Sequence, residues 1–289
     1  MSYEEHALQF SCQDASLLGI LSLPQRPHHR GILFVVGGPQ YRAGSHRQFT
    51  LLARQFASQG IAVMRFDYRG MGDSEGEQRD FTEVDEDIRA AVRCFFQQVP
   101  AMTEVVLWGL CDAASAALFY AHQDSRVTGL VLLNPWVRTE QGAAKAYLKH
   151  YYFRRLLDSG FWKKFIAGEL SLFTAIQSVM QQIGRLKPQH KNMSATVSND
   201  NRDPDLTNLP QKMYQCLQLF KGKTLVILCS EDLTAQEFSD VAGSSRKWKK
   251  LMSSSQITKR HLAGANHTFS QRSWREEIGH WTISWIKNW

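Results

Sequence analysis

The residues 106–115, VLWGLCDAAS, carry the most chemical information in the chain. An apolar run with strand character leads into Gly109-Leu110-Cys111-Asp112-Ala113 and then into a stretch of small residues with helix character. A nucleophile on a strained strand-to-helix turn projects its side chain above a sheet, and its neighbours two positions away must be small for strand and helix to pack. The N-terminus of the following helix stabilises an anion, which suits a reactive thiolate. Cys111 is therefore the candidate nucleophile. The other four cysteines, Cys12, Cys94, Cys216 and Cys229, lack this context and fit buried small hydrophobes. Five cysteines are an odd number, and no CxxC pair occurs, so neither a disulfide framework nor a cysteine-rich zinc site is expected.

A thiol nucleophile needs a base and a group to orient that base. Asp232 follows the apolar run TLVILC in the turn SEDLTAQEF, and His267 follows the last strand-like segment in GANHTFS. The expected roles are Asp232 as orienting acid and His267 as base, with Glu231 and Asp240 as fallback acids. Taken singly, Asp232 also suits an N-cap of the next helix, and His267 an exposed loop residue. Acyl transfer further needs N–H donors for an oxyanion. The Asp112 amide, immediately after the nucleophile, is one. Gly38, in VVGGPQY, is the second, because Pro39 has no N–H; Gln40 is the reserve. In FDYRGMGDSEGE, Asp67 and Arg69 read as members of a buried ion pair that fixes a loop rather than as catalytic groups.

These residues need a scaffold that brings three loops together. The first 23 residues alternate like a hairpin at a sheet edge. GILFVVGG (31–38), IAVMRFD (61–67), EVVLWG (104–109), VTGLVLLNP (127–135), TLVILC (224–229) and QITKRHL (256–262) read as strands, and the first several as strands buried on both faces. Helical patterns fall between them at 48–58, 83–98 and behind Cys111, and a last one closes the chain at 273–289. This alternation predicts an α/β fold with a mainly parallel sheet covered by helices on both faces. Residues 1–136 and 221–289 form the expected core. Residues 137–220 are too long for an ordinary connection and read as an inserted helical cap over the carboxyl ends of the strands.

Composition narrows the function classes. The chain has 289 residues, 43% hydrophobic and 21% charged, which suits a globular protein with a sizeable core. There is no run of 18 apolar residues, and the N-terminus lacks the basic and apolar blocks of a signal peptide, so a cytoplasmic protein is expected. The net charge of +7 is uneven: residues 138–223 hold 14 Lys and Arg against six Asp and Glu. Those charges are interleaved with aromatics and leucines, without a nucleic-acid motif, so nucleic acid is not the expected partner. Residues 146–183 have the mixture of interfacial helices, but core packing over a site is favoured over membrane contact. GxGxxG and GxxxxGK[ST] are both absent, so nucleotide cofactors have no support.

The order nucleophile, acid, His, with a strand before each, resembles the α/β-hydrolase superfamily, and so do FDYRGMGDSEG, GLCDA, SEDLTAQEF and GANHTFS at their positions. More narrowly, VVGGPQYRAGSHRQF, FDYRGMGDSEG and WGLCDAASAAL resemble the exosortase A system-associated hydrolase 1 family, which accompanies bacterial exopolysaccharide and protein-sorting gene clusters. Cys in place of the usual Ser departs from most of the superfamily, although dienelactone hydrolases are similar in using Cys. The resemblance implies a hydrolase acting on an ester or thioester through Cys111, His267 and Asp232, with no metal and no organic cofactor. The basic, aromatic segment suggests an acyl group on a phosphate-bearing carrier such as coenzyme A or acyl carrier protein. An acyltransferase with the same triad and a non-catalytic acyl-carrier-binding protein are the alternatives.

Overall fold

Period-two alternation and continuous apolar runs become strands where the sequence places them. In the computed structural model, which describes residues 1–38, 40–137 and 209–289, eight strands form one sheet in the order β1-β2-β4-β3-β5-β6-β7-β8. Their bounds are β1 Tyr3–Cys12, β2 Ala15–Pro24, β3 Arg30–Val35, β4 Val63–Phe66, β5 Glu104–Leu110, β6 Val127–Leu133, β7 Lys223–Cys229 and β8 Ile257–Leu262. The first two make the expected edge hairpin, and β2 also pairs antiparallel with β4; every other neighbouring pair is parallel.

The central strands β3, β5, β6 and β7 are buried almost throughout. That is why they read as unbroken apolar runs: parallel strands covered on both faces have no solvent side to mark with polar residues. Edge strand β8 has no such cover on its outer side, and Lys259, Arg260 and His261 are exposed there. The described helices are α1 Gln48–Ser58, α2 Asp85–Gln98, α3 Asp112–Ala121, α4 Leu209–Leu219, α5 Leu233–Gly243, α6 Arg246–Met252 and α7 Arg272–Lys287. Two apolar cores result. One face of the sheet, with Leu33, Leu107 and Leu132, packs against Ile88, Val92 and Phe95 of α2 and the small residues of α3. The other, with Phe34, Trp108 and Val131, packs against Phe49, Leu52 and Phe56 of α1 and Ile278 and Ile286 of α7. Each such aliphatic side chain taken fully out of water contributes roughly 1.5–3 kcal/mol.

The segment expected to form a cap lies outside the described residues except at its two ends. At the C-terminal end, α4 packs on α3 and buries Leu209, Met213, Cys216 and Leu217. It belongs to the same compact unit as the sheet. Among the described residues, no helix is long and apolar enough to cross a membrane.

Candidate active site

Cys111 stands between β5 and α3 as the N-cap of α3, with φ 63° and ψ −126°. A non-glycine residue there stores roughly 1–3 kcal/mol of backbone strain, so its surroundings must hold it. They do so from β6: Cys111 N–H donates to Leu133 O at 2.9 Å, and Cys111 O accepts from Trp136 N–H at 3.1 Å. Ser115 Oγ adds a bond to Trp136 O at 2.6 Å. The small neighbours have a visible reason. A Cβ on Gly109 would lie 2.6 Å from the Ala113 carbonyl carbon, and a Cβ on Gly37 would collide with Ala113 N and the Asp112 carboxylate. Strand β5, helix α3 and the β3 loop meet backbone to backbone at this point.

Asp232 and His267 occupy the ends of β7 and β8. The two loops are stitched together: Ser230 N–H donates to Leu262 O at 3.1 Å, Glu231 N–H to Ala265 O at 3.2 Å, and Gly264 N–H to Ser230 Oγ at 2.7 Å. Asn266 and Ser270 bond to each other across the turn that carries His267. His267 Nδ1 lies 2.7 Å from Asp232 Oδ2, and the Cys111 thiol is near enough to the ring to act on its protonation. The three residues, separated by 121 and 35 positions in sequence, thus come together in one place. Asp232 is buried while His267 is about one-third exposed. The bond from Asp232, and next the Cys111 thiol, raise the imidazole pKa to about 10, against the opposing effect of burial.

Asp232 does cap the next helix: its Oδ1 accepts from Thr234 N–H at 2.8 Å at the start of α5, leaving Oδ2 for the histidine. Of the fallback acids, Glu231 and Asp240 are both exposed. Cys12, Cys94, Cys216 and Cys229 are buried, and burial pushes each thiol up, Cys229 to about 12.

Asp67 and Arg69 do fix the loop after β4, but not by pairing with each other. Asp67 is buried and pairs with Arg42, whose N–H also donates to it at 2.7 Å. Arg69 pairs with buried Asp87 of α2, through its N–H and Nε at 2.8 and 3.0 Å. Two anchors, one to the loop after β3 and one to α2, replace the single pair expected from sequence; partners 25 and 18 residues away gave no local signal.

Gly38 has φ 58° and lies beside the nucleophile turn, but its N–H is engaged: it donates to Asp112 Oδ2 at 2.7 Å. The Asp112 side chain was not anticipated as a participant. The available signal was an acid in the first turn of a helix, where free N–H groups and the helix dipole favour it. In the reserve donor Gln40, side-chain Oε1 is buried and finds no hydrogen-bond partner among the described residues. Among the described residues, no group of three or more His, Cys, Asp and Glu side chains is placed to hold a metal ion.

A sheet of this order, with a strained strand-to-helix turn after β5 and an aspartate and a histidine in the loops after β7 and β8, is that of the α/β-hydrolase fold. Residues 27–268 match the family model described as serine aminopeptidase, S33, and the chain belongs to that family of α/β hydrolases. It is 33% identical over 91 residues to the polyketide transferase grgF of a Penicillium species, and 30% identical over 94 residues to the quorum-quenching protein AidA of Acinetobacter baumannii strain MDR-ZJ06. These matches cover 30% and 31% of this chain and about a third of each relative, 31% in both cases. Among solved structures, Pyrococcus furiosus esterase Pf2001 superposes with a TM-score of 0.65 at 14% identity, covering 99% of this chain and 93% of that one.

Proposed function

We propose that this α/β hydrolase cleaves an ester or thioester through an acyl-enzyme on Cys111, with His267 and Asp232 completing the triad. The reading is supported above all by the gathering of Cys111, His267 and Asp232, with Asp232 Oδ2 2.7 Å from His267 Nδ1 and the Cys111 thiol acting on the same ring. Cys111, having given its proton to His267, adds as a thiolate to the acyl carbonyl. The amides of Gly38 and Asp112 receive the oxyanion. The imidazolium passes its proton to the departing oxygen or sulfur, and the C–O or C–S bond breaks to leave a thioester on Cys111. Water then adds while His267 takes its proton, and collapse returns the thiolate and frees the acid. Asp232 holds the ring tautomer and stabilises its charge throughout.

A small-molecule ester or thioester is the substrate class, in keeping with the esterase among the structural relatives. Carriage of the acyl group on coenzyme A or acyl carrier protein accords with the basic residues of 138–223. A bacterial exopolysaccharide or exosortase setting accords with the motifs around Gly38, Asp67 and Cys111. Five free cysteines accord with a reducing, cytoplasmic compartment. The second reading is an acyltransferase that replaces water by an alcohol, and the polyketide transferase among the relatives favours it.

Intact-protein mass spectrometry after incubation with a panel of acyl thioesters and activated esters tests the proposal. An acyl adduct that maps to Cys111 and is absent from Cys111→Ala is the expected result. An adduct on another residue, or unchanged turnover in Cys111→Ala, would overturn it. Adding candidate alcohols separates transfer from hydrolysis by the product formed.

A further inference from the structure

One of the two amides assigned to the oxyanion, that of Gly38, is already occupied by a side chain. Asp112 Oδ2 accepts from Gly38 N–H at 2.7 Å, Oδ1 accepts from Ala113 N–H at 2.9 Å, and the amide of Asp112 itself also interacts with this carboxylate. The packing is built around it: the absence of a side chain at Gly37 leaves room for the carboxylate, and the left-handed conformation of Gly38 sets the direction of the loop. A full negative charge binds N–H donors more strongly than the neutral carbonyl of an ester does. An incoming carbonyl therefore meets a competitor within the protein.

We propose that the Asp112 carboxylate is an internal occupant of the oxyanion hole, which is closed at rest and opens when a substrate displaces that side chain. The inference rests on the reading of Gly38 and Asp112 as oxyanion donors. Burial raises the Asp112 carboxyl pKa, and the Gly38 and Ala113 amides act against that rise. A carboxylate that loses those amides in this half-buried setting gains from replacement donors, since a partly desolvated charge without partners is costly. An acyl group with a hydroxyl or ammonium near its carbonyl supplies them, whereas a plain alkyl acyl group does not. Asp112 is on this account a specificity-determining residue that favours donor-bearing acyl substrates.

The test compares wild type, Asp112→Ala and Asp112→Asn. Acylation of Cys111 is followed with p-nitrophenyl butyrate and p-nitrophenyl 3-hydroxybutyrate, and alkylation with iodoacetamide, a displacement that uses no oxyanion hole, is the control. Asp112→Ala should be acylated by the butyrate about tenfold or more faster than wild type and should lose the wild-type preference for the hydroxyacyl ester. Alkylation should stay within about twofold, and Asp112→Asn, which retains one acceptor oxygen, should fall between. Should the alanine variant not fold, the isosteric asparagine variant carries the test with the same signs. Equal or slower butyrate acylation at unchanged alkylation would overturn the proposal, because the carboxylate would then build the site rather than block it. Where no ester acylates any variant although iodoacetamide alkylates Cys111, the acyl-enzyme reading fails. Amide hydrogen exchange at Gly38 then decides this inference: faster exchange in Asp112→Ala upholds an occupied hole, and unchanged exchange overturns it.

Discussion

Among the five cysteines, environment separates one from four. Cys111 is partly accessible and sits beside an imidazole, whereas Cys12, Cys94, Cys216 and Cys229 are buried with raised thiol pKa values. Brief treatment with iodoacetamide near neutral pH should label Cys111 first, as read by peptide mapping; earlier labelling of any other cysteine would contradict the assignment. His267 makes a second prediction. Its pKa is raised to about 10 by its bond to Asp232 and by the Cys111 thiol, so an NMR titration should find the ring still protonated well above pH 7. The sign for stability follows. A raised imidazole stabilises the fold fully below its unfolded value of about 6.5, and that contribution is lost as pH rises through the folded value. With the thiol removed, Asp232 alone holds the proton. The stability difference between Cys111→Ala and Cys111→Ala with His267→Gln should therefore be largest below about pH 6.5 and shrink as pH rises. A difference independent of pH would mean that Asp232 does not hold the ring's proton.

At the scale of elements, two of the three proposed catalytic groups double as termini. Cys111 caps α3, and Asp232 caps α5 while its other oxygen orients His267. This economy gives Asp232 two separable functions. Asparagine is as good an N-cap as aspartate, so Asp232→Asn keeps the bond to Thr234 N–H but presents the wrong charge and tautomer to the ring. Its turnover should fall roughly 10²–10⁴-fold with little change in Tm. Asp232→Ala should match that loss and in addition lose about 1 kcal/mol of stability, measured by denaturant unfolding. Equal stability of the two variants would show that the cap contributes nothing, and full turnover in Asp232→Asn would move the orienting role elsewhere.

At the scale of the molecule, charge is divided along the chain. Besides the excess of basic residues at 138–223, residues 241–275 contain eight Lys and Arg and no Asp or Glu. Arg246, Lys247, Lys249, Lys250, Lys259 and Arg260 among them are exposed on α6 and edge strand β8. A basic edge discourages pairing with another sheet, and it also makes the protein attractive to anions. If the acyl carrier is anionic, kcat/KM for a coenzyme A thioester should fall with added salt, because charges are screened beyond about 8–10 Å at physiological strength. That for a small neutral ester should stay within about twofold over the same range, a margin on the order of 0.4 kcal/mol. Equal salt dependence for both substrates would remove the phosphate-bearing carrier from the proposal.

The scaffold was legible in sequence because its signals are local. The apolar runs at 31–38, 104–109, 127–135 and 224–229 marked buried strands, and small residues around Cys111 marked the elbow, since strand burial and tight turns restrict residue types directly. Chain order after three strands sufficed to nominate Cys111, Asp232 and His267, because parallel strands deliver their following loops to one edge of the sheet. What the side chains hold on to was decided only in three dimensions. Asp67 chose Arg42 and Arg69 chose Asp87 across distant elements, and Asp232 divided its oxygens between a helix cap and a histidine. Likewise, the Gly38 amide expected to await a substrate was met by the carboxylate of Asp112, 74 residues along the chain. Residue type limits which hydrogen bonds a group can make, but the choice among partners depends on which donors and acceptors packing brings within about 3 Å, and no spacing in the sequence encodes that.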